Sequence, residues 1–293
     1  MPRVAIIGPG AIGTVIAALL HDIGTPVTIA GRTARPFLRL DTGSGVIDVP
    51  GPVLVDPAQA PGAADVVFLA VKATQIADAK PWLDALCGPD TVACVMQNGI
   101  EQVESVGAVV RDAEVVPAIV WSPAERHADG TVQLRGEPRF TVPPVSGADR
   151  IRDVLAGSAC EFAIDADFAT LAWRKLLQNA AAGLMALTGR RAGMYRRDDV
   201  AALTLAYLEE CLAVSRAVGV ELPDDEPRRL LERFRSFPED MGTSILADRE
   251  AGRPLEWDVR NGVICRLGRA HGIPTPVSDV LVPLLAATSD GPG

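Results

Sequence analysis

Residues 4–13 read Val-Ala-Ile-Ile-Gly-Pro-Gly-Ala-Ile-Gly, an apolar run that leads directly into the pattern Gly8-x-Gly10-x-x-Gly13. An apolar strand, a glycine-rich turn and a helix-forming run, here residues 14–20, together make a nucleotide-binding βα unit. The first glycine permits a tight turn, the second lets the backbone approach a pyrophosphate, and the third lets the helix pack closely on the strand. The stretch therefore predicts a dinucleotide site at a helix N-terminus. Its candidate residues are Gly8, Pro9, Gly10, Ala11, Ile12 and Gly13.

The end of the second predicted strand indicates which dinucleotide fits. That strand, residues 26–30, is followed by Gly31 and Arg32, and no acidic residue lies between positions 23 and 40. A carboxylate at this place would hold the ribose 2′-hydroxyl of NAD, whereas a guanidinium can bind a 2′-phosphate through paired, charge-assisted hydrogen bonds. We therefore predict NADP, used as NADPH, with Arg32 as the phosphate ligand and Arg35 as a helper. The alternative is that Arg32 is a solvated loop residue.

Composition excludes several other functional classes. The 293 residues are 48% hydrophobic but only 4% aromatic, and their formal net charge is −9. This acidic balance argues against binding to nucleic acid or to an anionic membrane. An anionic cofactor must then be held by local groups. Because a strand begins within the first few residues and no unbroken apolar stretch is long enough for a bilayer, we expect a cytoplasmic protein without a signal peptide.

Cysteines and histidines are few and widely scattered. The cysteines are Cys87, Cys94, Cys160, Cys211 and Cys265, and the histidines are His21, His127 and His271. Their spacing matches neither a metal-ligand pattern nor a disulfide framework, so we expect reduced structural thiols and no metal site. A Gly-x-Ser-x-Gly elbow, which would indicate a hydrolase, is also absent from the sequence.

Strand and helix signals alternate through the first half of the chain. Residues 65–71 and 91–96 are continuous apolar runs, as expected for strands of a parallel sheet that is covered on both faces. Residues 75–86 between them have a helical pattern. Shorter segments follow at 115–120, 130–134 and 139–142, and we expect them to be antiparallel or edge strands that close the same sheet. This order predicts an α/β fold with a Rossmann-type dinucleotide-binding domain.

The second half of the chain is predicted to be all helical. From about residue 165, long helical patterns replace the strand signals. The predicted helices span 168–187, 198–218, 226–237, 241–251, 257–271 and 277–287. We therefore expect an NADP-binding domain at 1–165 and a helical substrate and catalytic domain at 166–293.

Polar residues follow two of the buried strands. Lys72 comes after the strand at 65–71, and Gln97-Asn98-Gly99 comes after the strand at 91–96. Ligands of such sheets bind at the carboxyl ends of the strands, so a lysine there can contact phosphate or ribose and an Asn-Gly turn can present an amide. The alternative is a solubilising lysine and an ordinary turn.

The strongest candidate for acid–base chemistry is Lys175, within an otherwise apolar helix. Lys175 and Asn179 are four residues apart and therefore share one helix face, which Gly183 extends by a further turn. A cationic lysine can polarise a carbonyl and donate a proton to the alkoxide that forms when hydride reaches the carbonyl carbon. Asn179 could orient the substrate, and Gly183 is expected to leave space above the pair. The alternative for Lys175 is a snorkelling side chain.

Two further polar residues stand near predicted helix starts. Ser244 stands in the segment that opens a helical run, where its hydroxyl and nearby backbone N–H groups could bind a carboxylate. Glu256 begins the next run, where it could simply stabilise the helix dipole. Its functional alternatives are binding a substrate hydroxyl or positioning the ammonium of Lys175. Spacing alone does not choose between them.

Taken together, these motifs resemble the ketopantoate reductase family, the NADPH-dependent 2-dehydropantoate 2-reductases, over nearly the whole chain. The matching segments are Gly8-Pro-Gly-Ala-Ile-Gly13, Val71-Lys72 with Gln75, Gln97-Asn98-Gly99, Trp173-Arg-Lys-Leu-Leu-Gln-Asn179, Ser244 with Asp248, and Glu256-Trp-Asp followed by Asn261-Gly262. The resemblance implies reduction of 2-dehydropantoate, or of a related branched α-keto acid, to the 2-hydroxy acid in pantothenate biosynthesis.

The resemblance also implies roles for individual residues. The lysine that corresponds to Lys175 is the proton donor in that family, and the residues corresponding to Asn179, Ser244 and Glu256 contact the substrate. We therefore expect Lys175 and Glu256 to be catalytic.

Cofactor contacts are implied in the same way. Residues corresponding to Lys72 and Asn98 serve the cofactor, and Gln75 belongs to the same segment as Lys72. The expected partner is a small-molecule α-keto acid, with no nucleic acid and no membrane, and a homodimer is left open.

One position departs from the family pattern. The family helix usually carries a second asparagine one turn beyond the first, and this chain has Gly183 there. A lost hydrogen-bond donor typically costs about 1–3 kcal/mol, so we expect a permissive site and a gain for ketopantoate on Gly183→Asn. Two other functions stay open, a reductase of a different ketone or imine on the same scaffold and a non-catalytic NADPH-binding regulatory protein.

Overall fold

The computed structural model describes residues 1–110 and 112–291. Its described part divides into two compact units. The first comprises residues 1–97 and 101–168, and the second comprises residues 98–100 together with the chain from Ala169 onward. The short Asn98–Ile100 segment thus belongs to the helical unit, although the first unit surrounds it in sequence.

The first unit contains twelve strands and four helices among the described residues. The strands are β1 (Val4–Ile7), β2 (Val27–Ala30), β3 (Phe37–Asp41), β4 (Val46–Pro50), β5 (Val66–Leu69), β6 (Val92–Val95), β7 (Glu114–Pro117), β8 (Ile119–Trp121), β9 (Ala124–Arg126), β10 (Val132–Leu134), β11 (Arg139–Val142) and β12 (Glu161–Ile164). The helices are α1 (Ala11–Asp22), α2 (Ile76–Leu86), α3 (Gln102–Gly107) and α4 (Ala148–Leu155).

A five-stranded parallel sheet forms the centre of the first unit, in the order β2-β1-β5-β6-β7. All four residues of β1, of β5 and of β6 are buried, which explains why these strands read as unbroken apolar runs. Val4 pairs with both Val27 and Val66, so β1 is a central strand of the sheet. The α/β class and the parallel sheet predicted from the sequence are confirmed.

Of the later short strands only β7 closes this sheet, as its edge strand, so that expectation is wrong for the others. Residues 115–120 are divided between β7, at the edge of the parallel sheet, and β8, in a separate three-stranded sheet of order β12-β11-β8. The break follows Pro117, which has no N–H to donate. Strand β10 belongs to a third sheet of order β4-β3-β10-β9, in which β3 and β4 were not predicted.

The second unit is helical. Its helices are α5 (Phe168–Thr188, whose first residue belongs to the first unit), α6 (Asp198–Ala217), α7 (Glu226–Ser236), α8 (Ser244–Glu250), α9 (Val263–His271) and α10 (Pro276–Asp290). The predicted helix at 257–271 begins instead with a π-helical turn, Asp258–Gly262. The core of this unit includes the fully buried Tyr195, Tyr207 and Phe234. Single π-helical turns are rare in proteins, and those that occur are often found at functional sites.

Within residues 1–110 and 112–291, every helix is too short or too polar to cross a bilayer. The same residues contain no group of three or more histidine, cysteine or acidic side chains that could hold a metal ion.

Burial raises the pKa of the Cys87 and Cys94 thiols to about 12, so these thiols are unreactive at neutral pH.

Candidate active site

The glycine-rich turn after β1 is shaped by steric limits at its first and third glycines. Gly8 has a φ of +96°, and a Cβ atom there would lie 2.6 Å from Val71 Cγ1. A Cβ on Gly13 would lie only 2.1 Å from the carbonyl oxygen of Gly8. Each position therefore excludes every larger residue, as the fingerprint requires.

Gly10 differs, because no other part of the chain comes within 4 Å of the position of its missing Cβ. It is the N-cap residue of α1, and the first turn of that helix carries no acidic side chain. The open space and the unpaired N–H groups of the first turn fit a bound pyrophosphate. Residues 8–13 are thus suited to hold a dinucleotide.

One arginine side chain, that of Arg35, contacts this turn. Arg32 is exposed, whereas Arg35 is partly buried and its Nη1 donates a hydrogen bond to the carbonyl oxygen of Pro9 at 3.3 Å. Burial lowers the pKa of Arg35, and the positive charge of Arg126 on β9 lowers it further. A pair of mutually repelling cations favours an anionic ligand. Arg126 was missed in the sequence because it lies 91 positions beyond Arg35 in a strand that was not predicted.

Lys72 and Gln75 form a local turn after β5. Lys72 precedes a short 3₁₀ turn, Ala73–Gln75, and its backbone N–H donates to Gln75 Oε1 at 3.3 Å. The Gln75 amide therefore orders the backbone at the start of α2. The cofactor contacts expected of both residues stay predictions.

In the second unit, Asn98, Asn179 and Glu256 are connected by hydrogen bonds. Asn98 Nδ2 donates to Glu256 Oε2 at 3.1 Å, and Asn179 Nδ2 donates to Asn98 Oδ1 at 3.4 Å. The adjacent Gly99 has a φ of +103°, and a Cβ there would lie 3.1 Å from Val259 Cβ. Gly99 thus allows the 98–100 segment to approach the π-helical turn closely. The network joins residues separated by 158 positions in the sequence.

Lys175 has a strongly lowered pKa. Its pKa is lowered from 10.5 to about 7, chiefly by desolvation and also by the positive charge of Arg260, while the carboxylate of Glu256 opposes the shift. A lysine whose pKa lies near neutrality can exchange a proton at physiological pH. Such a value matches the task of a general acid.

Arg260 belongs to the same network, although no sequence motif indicated it. It projects from the π-helical turn, is 2% exposed, and its Nη2 donates to Ser244 Oγ at 3.1 Å and to Glu256 Oε2 at 3.0 Å. Ser244 begins α8 and is itself exposed. Arg260 therefore links two of the predicted substrate residues. The only sequence signal was a charged residue four positions after Glu256, which equally suits a surface ion pair.

The space above Gly183 is occupied, so the expectation of free volume there is wrong. A Cβ on Gly183 would lie 2.8 Å from Asn261 Nδ2 and 3.1 Å from Asn261 Oδ1. Asn261 is fully buried, and its Nδ2 donates to the carbonyl oxygen of Ala180 at 3.0 Å and to the Tyr207 hydroxyl at 2.9 Å. An amide from the π-helical turn thus fills the volume that a side chain on α5 would need.

All four predicted substrate residues belong to one connected network, while the predicted cofactor residues are divided between the two units. Hydrogen bonds or charge interactions connect Lys175, Asn179, Ser244 and Glu256 through Asn98 and Arg260. The glycine-rich turn, Arg32, Lys72 and Gln75 all belong to the first unit, but Asn98, expected to serve the cofactor, belongs to the second.

Comparison with known proteins gives matches over nearly the whole chain. Family models described as "Ketopantoate reductase PanE/ApbA" and "Ketopantoate reductase PanE/ApbA C terminal" match residues 4–147 and 167–289. A 2-dehydropantoate 2-reductase of Mycobacterium tuberculosis is 54% identical over 291 residues, covering 99% of each chain. One from Caulobacter vibrioides is 36% identical over 99% of this chain and 100% of the relative.

Solved structures give the same result. A dimeric ketopantoate reductase from Staphylococcus aureus superposes with a TM-score of 0.89 at 25% identity, covering 99% of this chain and 100% of that one. A PanE/ApbA family ketopantoate reductase from Ralstonia eutropha gives a TM-score of 0.88 at 30% identity, covering 98% of both chains. The resemblance noted in the sequence is confirmed, and the chain belongs to the ketopantoate reductase PanE/ApbA family.

Proposed function

We propose that this protein reduces 2-dehydropantoate, or a closely related branched α-keto acid, to the 2-hydroxy acid with NADPH. The observation that carries the proposal is Lys175, whose pKa is lowered to about 7 beside Glu256 and Arg260. Reduction of a ketone needs a proton for the alkoxide oxygen, and a lysine in this state can supply one. The 54% identity to a named 2-dehydropantoate 2-reductase supports the same substrate.

In the proposed mechanism, Lys175 donates its ammonium proton to the carbonyl oxygen as the C–O double bond is reduced. Its positive charge also stabilises the developing alkoxide. The nicotinamide cofactor, when bound, supplies the hydride. The residues that would hold it are the glycine-rich turn, residues 8–13, with Arg32, Lys72, Gln75 and Asn98.

The other polar residues orient the substrate and the proton donor. Asn179 shares the helix face of Lys175, and Ser244 presents an exposed hydroxyl to the substrate. Glu256 is 4% exposed, and its Oε2 already accepts hydrogen bonds from Asn98 and Arg260. These bonds favour a positioning role for Glu256 toward Lys175 over direct binding of a substrate hydroxyl.

The choice of NADPH rests on the charges beside the glycine-rich turn. Arg35 and Arg126 are close enough for each charge to act on the other, and the exposed Arg32 lies three positions before Arg35 in the sequence. A 2′-phosphate would relieve the repulsion, whereas the 2′-hydroxyl of NADH would not.

Replacing Arg32 or Arg35 with alanine should therefore raise the KM for NADPH and leave the KM for NADH nearly unchanged. Each lost charge-assisted contact is expected to weaken NADPH binding by about 10- to 100-fold. Cofactor titrations at saturating keto acid measure the effect. Equal use of NADPH and NADH by the parent enzyme would contradict the assignment.

The rate should also depend on pH in a direction fixed by Lys175. Its proton must be present before reaction, so kcat/KM should be highest below the lysine's pKa of about 7 and fall as the pH rises through that value. A pH profile at saturating NADPH tests this. A flat profile between pH values well below and well above 7 would exclude Lys175 as the proton donor.

A panel of α-keto acids, simple ketones and cyclic imines, followed by NADPH oxidation, tests the proposed reaction. Turnover restricted to ketones without a carboxylate, or to imines, would assign another reductase on the same scaffold. Tight NADPH binding without any turnover would indicate a regulatory protein instead.

The homodimer is also proposed, because the similar Staphylococcus aureus enzyme is dimeric, and sedimentation of the protein tests it.

A further inference from the structure

The buried guanidinium of Arg260 is incompletely satisfied. Both of its hydrogen bonds to described residues use Nη2, and Nε is buried without a hydrogen-bond partner there. A buried arginine that leaves a donor unpaired is a poor source of stability, and an apolar side chain of similar volume often serves as well. Its presence in the second unit therefore calls for a functional reason.

The charges around Arg260 are also unbalanced. Arg260 and Lys175 are cations, and Glu256 is a carboxylate that interacts with both. The nearby acidic residues Asp248 and Asp258 are paired with Arg253 and Arg266. With all three groups ionised, the cluster carries one positive charge in excess, which an anionic substrate would neutralise.

Ser244 connects this buried charge to the exterior of the unit. Its Oγ accepts the hydrogen bond from Arg260 Nη2, so its own O–H remains to be donated elsewhere. Because Ser244 is exposed, a substrate can reach that hydroxyl, and hydrogen bonds in series polarise one another. The guanidinium thus strengthens Ser244 as a donor to an anion without itself touching the ligand.

We infer that Arg260 is a specificity-determining positioning residue, which acts through Ser244 to make the site select substrates with a carboxylate next to the ketone. The inference rests on the proposed function. It states that one buried cation, Arg260, makes the enzyme prefer an α-keto acid over its neutral analogue. The conformation of the π-helical turn, Asp258–Gly262, fixes its position.

The test compares 2-dehydropantoate with its methyl ester in the holoenzyme. Arg260→Met is expected to raise KM for the acid by about 10- to 100-fold, with little change for the ester, so that the acid-to-ester ratio of kcat/KM falls by the same factor. Arg260→Lys keeps the charge and should restore most of the ratio. Ser244→Ala, at an exposed position, should lower the ratio even if Arg260→Met folds poorly.

Arg253→Met is the matched control, since it removes the same charge from another arginine that is paired with a buried acid, Asp248. It should leave the acid-to-ester ratio unchanged. A second readout is the pH profile, because loss of Arg260 removes a positive charge that lowers the pKa of Lys175. The fall of kcat/KM should therefore move to higher pH in Arg260→Met.

The inference is overturned if Arg260→Met lowers acid and ester rates alike without moving the pH profile, or if Ser244→Ala leaves the ratio unchanged. Calorimetry of pantoate and of pantoate methyl ester binding to the NADP⁺ complex tests the inference about Arg260 independently of turnover, and therefore independently of the proposed function. If no α-keto acid is turned over, the proposed function fails. An Arg260-dependent preference for pantoate over its ester would then still support the inference, and its absence would refute it.

Discussion

Replacing Lys175 with alanine is expected to lower kcat by about 10²- to 10⁴-fold, the usual contribution of a general acid. The reason is the proton balance of ketone reduction, since without the ammonium the alkoxide oxygen must take its proton from water. NADPH binding should persist, because the glycine-rich turn lies in the other unit. Single-turnover reduction of 2-dehydropantoate, together with fluorescence titration of NADPH, measures both quantities.

Lys175→Met provides the control for folding. The pKa of this lysine is lowered from 10.5 to about 7 by the fold, so the unfolded chain holds the proton more tightly than the folded one. The charge therefore reduces stability most below pH 7, and this penalty disappears as the pH rises from about 7 to 10.5. Lys175→Met should raise the free energy of unfolding, most clearly below pH 7. A methionine variant that is inactive because it unfolds would contradict this account, as would one with near-normal turnover.

Much of the fold could be predicted because its signals are local. The strand, turn and helix of residues 4–20 carry their pattern within one stretch, and the buried parallel strands read as apolar runs. The two smaller sheets were not predicted, because β8, β9 and β10 have only 3 residues each and β3 alternates buried and exposed residues. Their pairing partners lie far along the chain, as for β3 with β10.

The site was predictable where motif residues carry distinctive chemistry. Lys175 and Asn179 share a helix face, and helical spacing alone shows this. The positions of Arg260 and Asn261 depend on the π-helical turn, which shifts side chains relative to a regular α-helix and leaves no simple periodic signal. Asn98 could not be assigned to the helical unit from sequence, because its contacts lie 81 and 158 positions away.

Gly183→Asn shows how such a long-range contact reverses an expectation. Helix propensity favours asparagine over glycine, and the family pattern places an amide there. In this protein, however, a Cβ at 183 would lie 2.8 Å from Asn261 Nδ2, and Asn261 is held by Ala180 and Tyr207. Two asparagines cannot share this space.

We therefore expect Gly183→Asn to lower the free energy of unfolding by about 1–3 kcal/mol, as overpacking of a buried site usually does. It should also lower kcat/KM for 2-dehydropantoate, since the displaced π-helical turn carries Arg260. Adding Asn261→Ala removes the obstructing side chain, so the double variant should be more stable than the sum of the two single changes predicts. Urea unfolding of the four proteins measures this coupling. Additive effects, or a Gly183→Asn variant as stable as the parent, would contradict this account. They would mean that α5 and the π-helical turn can move apart without lowering the free energy of unfolding.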